Sequence, residues 1–360
     1  MSPFPSRLAL ALLLCALPLA AQQPTSQPAP QHRGGPNSGP APAPPPLPAL
    51  DLPHPGTPAG QLIGPLTLRS HIYDGMVSKY WIYVPAQYSP STPAAFMVFQ
   101  DGGIYLHDTP VRVALDNLIA AHKIPVLIGI FVNPGDISAS PGTPTYNFVS
   151  AYAHQWNRTL ADSMRSTEYD TVSPRYPRFL HDELLPAVAA RYNLRTDAYS
   201  HAIIGLSSGG ICAFNAAWQP PHDFARVISW IGSFTAIQWH EAPSIPDGGQ
   251  DYPNKILREP RRNIRVWLQD GSNDQENPRY GSWPMDNIRM ANALKLAGYD
   301  FRFSFGTGPH DAAEGSAEFP QEMIWLWRGY NPALTSQAFT QDPAESALPP
   351  FRVSITNRPH

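Results

Sequence analysis

The pentapeptide Gly205-Leu206-Ser207-Ser208-Gly209 restricts the fold more than any other feature, because of what lies on either side of it. Ahead of it runs Ala202-Ile203-Ile204, an apolar stretch of the kind buried on both faces of a parallel sheet. Behind it comes a helical pattern of small residues, Gly210, Cys212, Ala213, Ala216 and Ala217, suited to packing closely on that sheet. A chain that turns this sharply from strand to helix strains the serine backbone, and the flanking glycines leave room for the turn. The Ser207 hydroxyl is then expected to stand exposed above the C-terminal edge of the sheet.

The surrounding sequence supplies such a sheet. Leu66 to Tyr73 and Lys79 to Pro85 read as an opening antiparallel pair with Asp74-Gly75 at the turn. Ala95–Gln100, Val126–Asn133, Ala202–Gly205, Arg226–Ile231, Ile264–Gln269 and Phe301–Phe305 follow, rich in Val, Ile and Phe with little alternation. Helical stripes lie between and after them: Phe179, Leu180, Leu184 and Val188; Ile288, Ala291 and Leu294; Phe319, Met323 and Leu326. The alternation predicts an α/β fold, a mostly parallel, doubly wound sheet with helices on both faces. Residues 134–177 and 233–263 exceed simple crossovers, as binding loops or lids often do.

The ends of the chain differ from this middle. Residues 1–21 have the form of a secretory signal peptide: Arg7, an apolar run from Leu8 to Leu19, and small residues at Ala20-Ala21. A lipid anchor at Cys15 is disfavoured by Leu14, where a small residue is wanted. Residues 22–60 are dense in proline, with Arg33 and Asp51 as their only charges, and read as an extended, disordered linker. Residues 61–331 form the expected catalytic domain, and 332–360 a loosely ordered tail. Cleavage of the signal would leave Cys212 as the sole cysteine, so no internal disulfide is available. We read Cys212 as a core residue. Twenty-five basic against 28 acidic residues, with no basic run, argue against nucleic acid or an anionic membrane as partner.

A serine hydroxyl becomes nucleophilic when a base takes its proton, and a carboxylate must orient that base. After a strand–Gly-x-Ser-x-Gly–helix turn the acid and then the histidine follow, each at the end of a later strand. Ile264 to Leu268 leads into Gln269-Asp270-Gly271-Ser272-Asn273-Asp274, where two acids compete. Asp270 is still at the strand end; Asp274 lies past the Gly271 turn, where a loop can bring it over the sheet, and is preferred. Phe301 to Phe305 leads into Gly306-Thr307-Gly308-Pro309-His310, and of 12 histidines His310 is the one at the required place. The amide of Ser208, with that of Gly103 or Ile104 after Met97 to Gln100, would hold an oxyanion. The sequence implies no metal and no cofactor.

Together these segments resemble the esterase family within the α/β hydrolases, over roughly Gly60 to Tyr330. The resemblance is nearest to bacterial enterochelin-esterase-like proteins, relatives of feruloyl and acetylxylan esterases. It rests on Val98-Phe99-Gln100-Asp101-Gly102-Gly103, Arg165-Ser166-Thr167-Glu168-Tyr169-Asp170, Gly205 to Gly210, Leu268 to Asp274 and Gly306 to His310. It implies an α/β-hydrolase fold, Ser207, Asp274 and His310 as a catalytic triad, and Asp101 to Ile104 as the oxyanion loop. It also implies that Arg165 and Glu168 lie near the active site, either paired with each other or touching substrate. Trp156 and Trp239 in the long insertions would line an aromatic wall or fill loop core. Two departures stand out. Gly308-Pro309-His310 replaces the usual Gly-Gly-His, which stiffens the histidine loop. The proline-rich stretch stands where larger siderophore esterases carry an N-terminal domain.

The expected function is a secreted or periplasmic serine carboxylic-ester hydrolase working through an acyl-enzyme. Its substrate would be an acylated or feruloylated polysaccharide or a siderophore lactone. An acyltransferase on the same scaffold and a non-catalytic binding module are the alternatives, the latter opposed by three filled triad positions.

Overall fold

A computed structural model describes residues 49–137, 164–237 and 248–352, all within one compact unit, Pro40–His360. Its sheet is built from β1 (Gln61–Arg69), β2 (Met76–Val84), β3 (Ala95–Gln100), β4 (Leu127–Val132), β5 (His201–Leu206), β6 (Arg226–Trp230), β7 (Arg265–Gly271) and β8 (Asp300–Gly306). Their spatial order is β1-β2-β4-β3-β5-β6-β7-β8, with the two-residue strand Asp136–Ile137 paired to β2. β1 and β2 pair antiparallel, as do β2 and β4, while every neighbour from β4 to β8 is parallel. The C-terminal ends of β3 to β8 therefore share one edge, where loops can converge.

The helices are α1 (Gly102–Asp108), α2 (Val111–Ala120), α3 (Arg165–Tyr169), α4, α5 (Ser208–Trp218), α6 (Tyr252–Arg258), α7 (Trp283–Leu296), α8 (Ala313–Leu326) and α9 (Pro343–Ala347). α4 joins Arg175–Phe179, a π-turn over Leu180–Leu184 and Leu185–Ala189. Both faces of the sheet are covered. Phe96, Val98 and Ile203 point to the side of Phe179, Leu184, Phe214, Met290 and Leu294. Ala95, Met97, Phe99 and Ile204 point to the side of Leu115, Leu118, Phe319, Met323 and Leu326. Period-2 alternation thus exists in space, but both faces need apolar residues, so it is invisible in sequence. All three helical stripes read from the sequence are buried.

β1 runs five residues ahead of its expected start. The added residues include Gly64-Pro65, which the strand accommodates with a register shift between Ile63 and Leu66. β1 is an edge strand, where the missing proline N–H removes no ladder bond. Residues 70–75 form the turn instead, closed by Ser70 N–H to the Met76 carbonyl at 2.9 Å.

Both terminal boundaries also move. Within the expected linker, Ala49–Asp51 forms a 3-10 turn, Leu50 packs against the core, and the Asn117 amide donates to the Leu50 and Leu52 carbonyls at 2.7 and 2.8 Å. Within the expected loose tail, Phe339 is buried and Phe351 meets Phe301 and Phe303. Lys295 Nζ also donates to the Glu345 carbonyl at 2.6 Å. Single anchoring residues hold these segments, so no periodic pattern announces them.

Candidate active site

Ser207 sits between β5 and α5 with φ 56° and ψ −122°, a backbone that L-residues with a Cβ adopt only under constraint. The constraint is visible. Ser207 N–H donates to the Trp230 carbonyl at 2.9 Å, and a Cβ on Gly205 would lie 1.9 Å from the Gly209 carbonyl oxygen. The turn matches expectation, but its exposure does not. Ser207 is buried, with His310 and Ser233 at 2.8 and 3.2 Å from its Oγ.

His310 Nε2 faces Ser207 Oγ, and its Nδ1 faces Asp274 Oδ1 at 2.5 Å. The loops carrying these two residues interlock. A Cβ on Gly271 would lie 2.3 Å from the Gly308 oxygen, and Asn273 Nδ2 donates to the Thr307 carbonyl at 2.7 Å. Trp283 packs edge-on against the imidazole, ring centres 5.7 Å apart. Burial drives His310 down to about 4, so at neutral pH the ring is uncharged and can accept a proton at Nε2 once Nδ1–H is committed to Asp274.

Of the two competing acids, Asp274 therefore meets the histidine and Asp270 lies beneath it. Asp270 is wholly buried and one of its oxygens accepts from Gly271 N–H at 2.7 Å. Burial, then the hydrogen bond and charge of Asp274, push it up to about 9. A protonated Asp270 can donate to Asp274, which leaves the Asp274 charge for His310.

The loop expected to hold an oxyanion departs from expectation in part. Ser208 N–H opens α5, where no intrahelical acceptor exists for it. Ile104 N–H is closed onto the Asp101 carbonyl at 2.8 Å, because Asp101 at φ 56° and ψ 43° starts α1 in a tight turn. Gly103 N–H donates to Asn133 Oδ1 at 2.8 Å. Of the two expected donors, only that of Gly103 is held by a side chain that can move aside.

Arg165 and Glu168 lie near this loop, but not as a mutual pair. Arg165 forks onto Asp101 at 2.9 and 2.7 Å, both side chains buried. Glu168 accepts from Gly135 N–H at 2.7 Å. Each thus ties α3 to a different strand end, which three residues of sequence separation could not reveal. Trp156 and Trp239 lie outside the described residues. Sequence reasoning missed Asn133, Ser233 and Trp283. Asn133 follows β4 immediately and Ser233 lies three residues past the end of β6, and a position near a strand end was their only signal.

The model of the family described as "Putative esterase" matches residues 77–326, well over half of the chain. The chain belongs to this esterase family. Iron(III) enterobactin esterase of Dickeya dadantii (strain 3937) is 23% identical over 262 residues, which covers 72% of this chain and 54% of that protein. The uncharacterized protein YbbA of Bacillus subtilis (strain 168) is 22% identical over 163 residues, 45% of this chain and 58% of the relative. The chain thus spans a little over half the length of these curated relatives. Among solved structures, ferric enterobactin esterase from Salmonella typhimurium superposes with a TM-score of 0.55 at 20% identity, covering 79% of this chain and 62% of that one. A ferulic acid esterase does so with a TM-score of 0.52 at 16% identity, covering 75% and 99%. The fold is that of the α/β-hydrolase esterases. Among the described residues no helix is long and apolar enough to cross a membrane.

Proposed function

We propose that this chain is a secreted or periplasmic serine carboxylic-ester hydrolase with Ser207, His310 and Asp274 as its triad. The observation that carries the reading is the directional contact from Asp274 through a neutral His310 to a conformationally strained Ser207. Ser207 Oγ attacks the ester carbonyl while His310 Nε2 takes its proton. Asp274 holds the imidazole in the right tautomer and balances the imidazolium that forms. The Ser208 amide and the Gly103 amide receive the oxyanion, the substrate oxygen replacing Asn133 Oδ1. Collapse expels the alcohol, which takes the proton from His310. Water then repeats the sequence on the acyl-enzyme and frees the acid.

The names of the relatives, an iron(III) enterobactin esterase and a ferulic acid esterase, support a siderophore ester or a feruloyl ester as substrate, within the proposed classes of siderophore lactone and acylated or feruloylated polysaccharide. Arg7 and the apolar run that follows support export. The test is turnover of acetyl, feruloyl and trilactone esters by the purified chain and by Ser207→Ala. The variant should lose roughly 10⁴-fold or more in kcat while staying folded. More than a tenth of the activity remaining would overturn the mechanism.

A further inference from the structure

Ser233 is placed with unusual care for a residue outside the triad. It follows β6 across Ile231, a β-branched residue held at φ 44°, where such a side chain meets real steric cost. Ile231 N–H is pinned to the Gln269 carbonyl at 2.7 Å, and Ser233 N–H donates to the Ser207 carbonyl at 3.0 Å. The Gly232 carbonyl accepts from Asn287 Nδ2 at 2.9 Å. Three contacts therefore fix the backbone that carries the Ser233 hydroxyl, and the hydroxyl itself is buried.

The direction of its hydrogen bonds follows from chemistry. Trp283 Nε1 lies 3.0 Å from Ser233 Oγ, and an indole nitrogen can only donate. Ser233 Oγ is thus an acceptor there and has one proton left to give. Its other partner is Ser207 Oγ at 3.2 Å. Ser207 gives its own single proton to His310 Nε2. Its oxygen therefore accepts from Ser233.

We infer that Ser233, anchored by Trp283, is a further catalytic residue whose hydroxyl stays bonded to Ser207 Oγ while the bond from that oxygen to the acyl carbon forms and breaks. The inference rests on Ser207 being the nucleophile. One lone pair of Oγ is held by Ser233, which turns the other toward the carbonyl. In acylation the Oγ–C bond forms, the Oγ proton passes to His310, and the departing alcohol later takes it. In deacylation water adds and gives its proton to His310. The C–Oγ bond then breaks, its electron pair returns to Oγ, and His310 reprotonates that oxygen. The Ser233 proton never leaves Ser233. It stabilises the negative charge that gathers on Oγ whenever this bond is partly broken.

The experiment is stopped-flow hydrolysis of p-nitrophenyl acetate by the full chain, reading the acylation burst and the steady state separately. Ser233→Ala should slow both phases about tenfold, the order of one lost hydrogen bond, with KM changed far less. Trp283→Phe keeps a buried ring but removes the indole donor, and should slow both phases in the same direction by less. A role confined to packing would move KM or melting temperature and leave both phases alone. If both variants are folded and keep wild-type rates while Ser207→Ala is inactive, the inference is overturned and the triad stands. If Ser233→Ala does not fold, unchanged rates in Trp283→Phe overturn it equally. An active Ser207→Ala would instead remove the reading on which it rests.

Discussion

Two carboxylates four positions apart, both buried, cannot both carry a charge at low cost, and the pair resolves this by unequal surroundings. Burial raises both, Asp274 to about 6 and Asp270 to about 9, so at neutral pH the proton favours Asp270 and the charge favours Asp274. Asp274→Asn should lose roughly 10⁴-fold in kcat because the amide favours the wrong imidazole tautomer. Asp270→Asn should retain most activity, since its amide can still donate to Asp274. A variant pair with the reverse order of activities would exchange their roles. The same residue sets a pH dependence of stability. Unfolded, Asp270 loses its proton near 3.8; folded, it holds it to about 9. Across that window the folded state carries the extra proton, so its contribution is full below the lower value and is lost as pH rises through the upper one. Melting temperatures between pH 5 and 8.5 should therefore fall less steeply in Asp270→Asn than in the wild type; equal slopes would refute the assignment. His310, lowered by burial to about 4 from 6.5, should leave kcat/KM on a soluble ester nearly flat from neutral pH down to about 6, where Asp274, raised by burial to about 6, begins to take up a proton. A bend at or above 6.5 would mean that the Asp274 charge outweighs burial.

At the scale of elements, the turn from β5 to α5 tolerates no added atoms. A Cβ at Gly205 would sit 1.9 Å from the Gly209 oxygen, which is backbone and cannot swing away. Gly205→Ala should cost about 3 kcal/mol or more, or prevent folding. Gly75, in the turn between β1 and β2, is a useful contrast. It has φ 76° but nothing within 4 Å of an added Cβ, so Gly75→Ala should cost only about 1–2 kcal/mol, the left-handed penalty alone. Denaturant midpoints of the two variants measure the difference. Similar losses would mean that backbone conformation, not crowding, governs the elbow.

The whole molecule is larger than its sheet and helices. A chain cut to begin at Pro58 strips the Asn117 amide of both its acceptors, and a buried donor left alone costs about 1–3 kcal/mol. Asp51 opposes this. It is buried with both carboxylate oxygens unpaired, which burial answers by raising it to about 7, so its removal relieves strain. A chain ending at Asn331 removes Glu345 from the buried Lys295 ammonium and the Pro332 and Leu334 carbonyls from Arg195. Leaving such a charge uncompensated costs about 3–5 kcal/mol. The C-terminal cut should therefore lower the melting temperature more than the N-terminal one. Among the described residues, neither cut removes one that touches Ser207, His310 or Asp274, so kcat/KM on a small ester should survive below the melting point. Calorimetry and assay of both truncations decide this; an unchanged melting temperature after the C-terminal cut would restore the tail to a loose appendage.

What the sequence determined by itself is whatever local pattern dictates. A strand, a Gly-x-Ser-x-Gly turn and a helix of small residues lie contiguous at 202–217, so Ser207 was legible with its elbow. Asp274 and His310 follow because a parallel sheet delivers one loop per strand to the same edge, in chain order. The stripes of α4, α7 and α8 were legible because a helix repeats every few residues what it buries. Tertiary structure alone decided what depends on partners far along the chain. The choice between Asp274 and Asp270 needed the Gly271 turn packed against Gly308. Arg165 found Asp101, 64 residues away, rather than Glu168 beside it. Ser233 is 26 residues from Ser207 and 50 from Trp283. Leu50, Phe339 and Phe351 lie in proline-rich or polar stretches, and no period marks them. Hydrogen bonds and single anchors of this kind leave no repeat in the sequence, because each is made once, between groups that only the folded chain brings within reach.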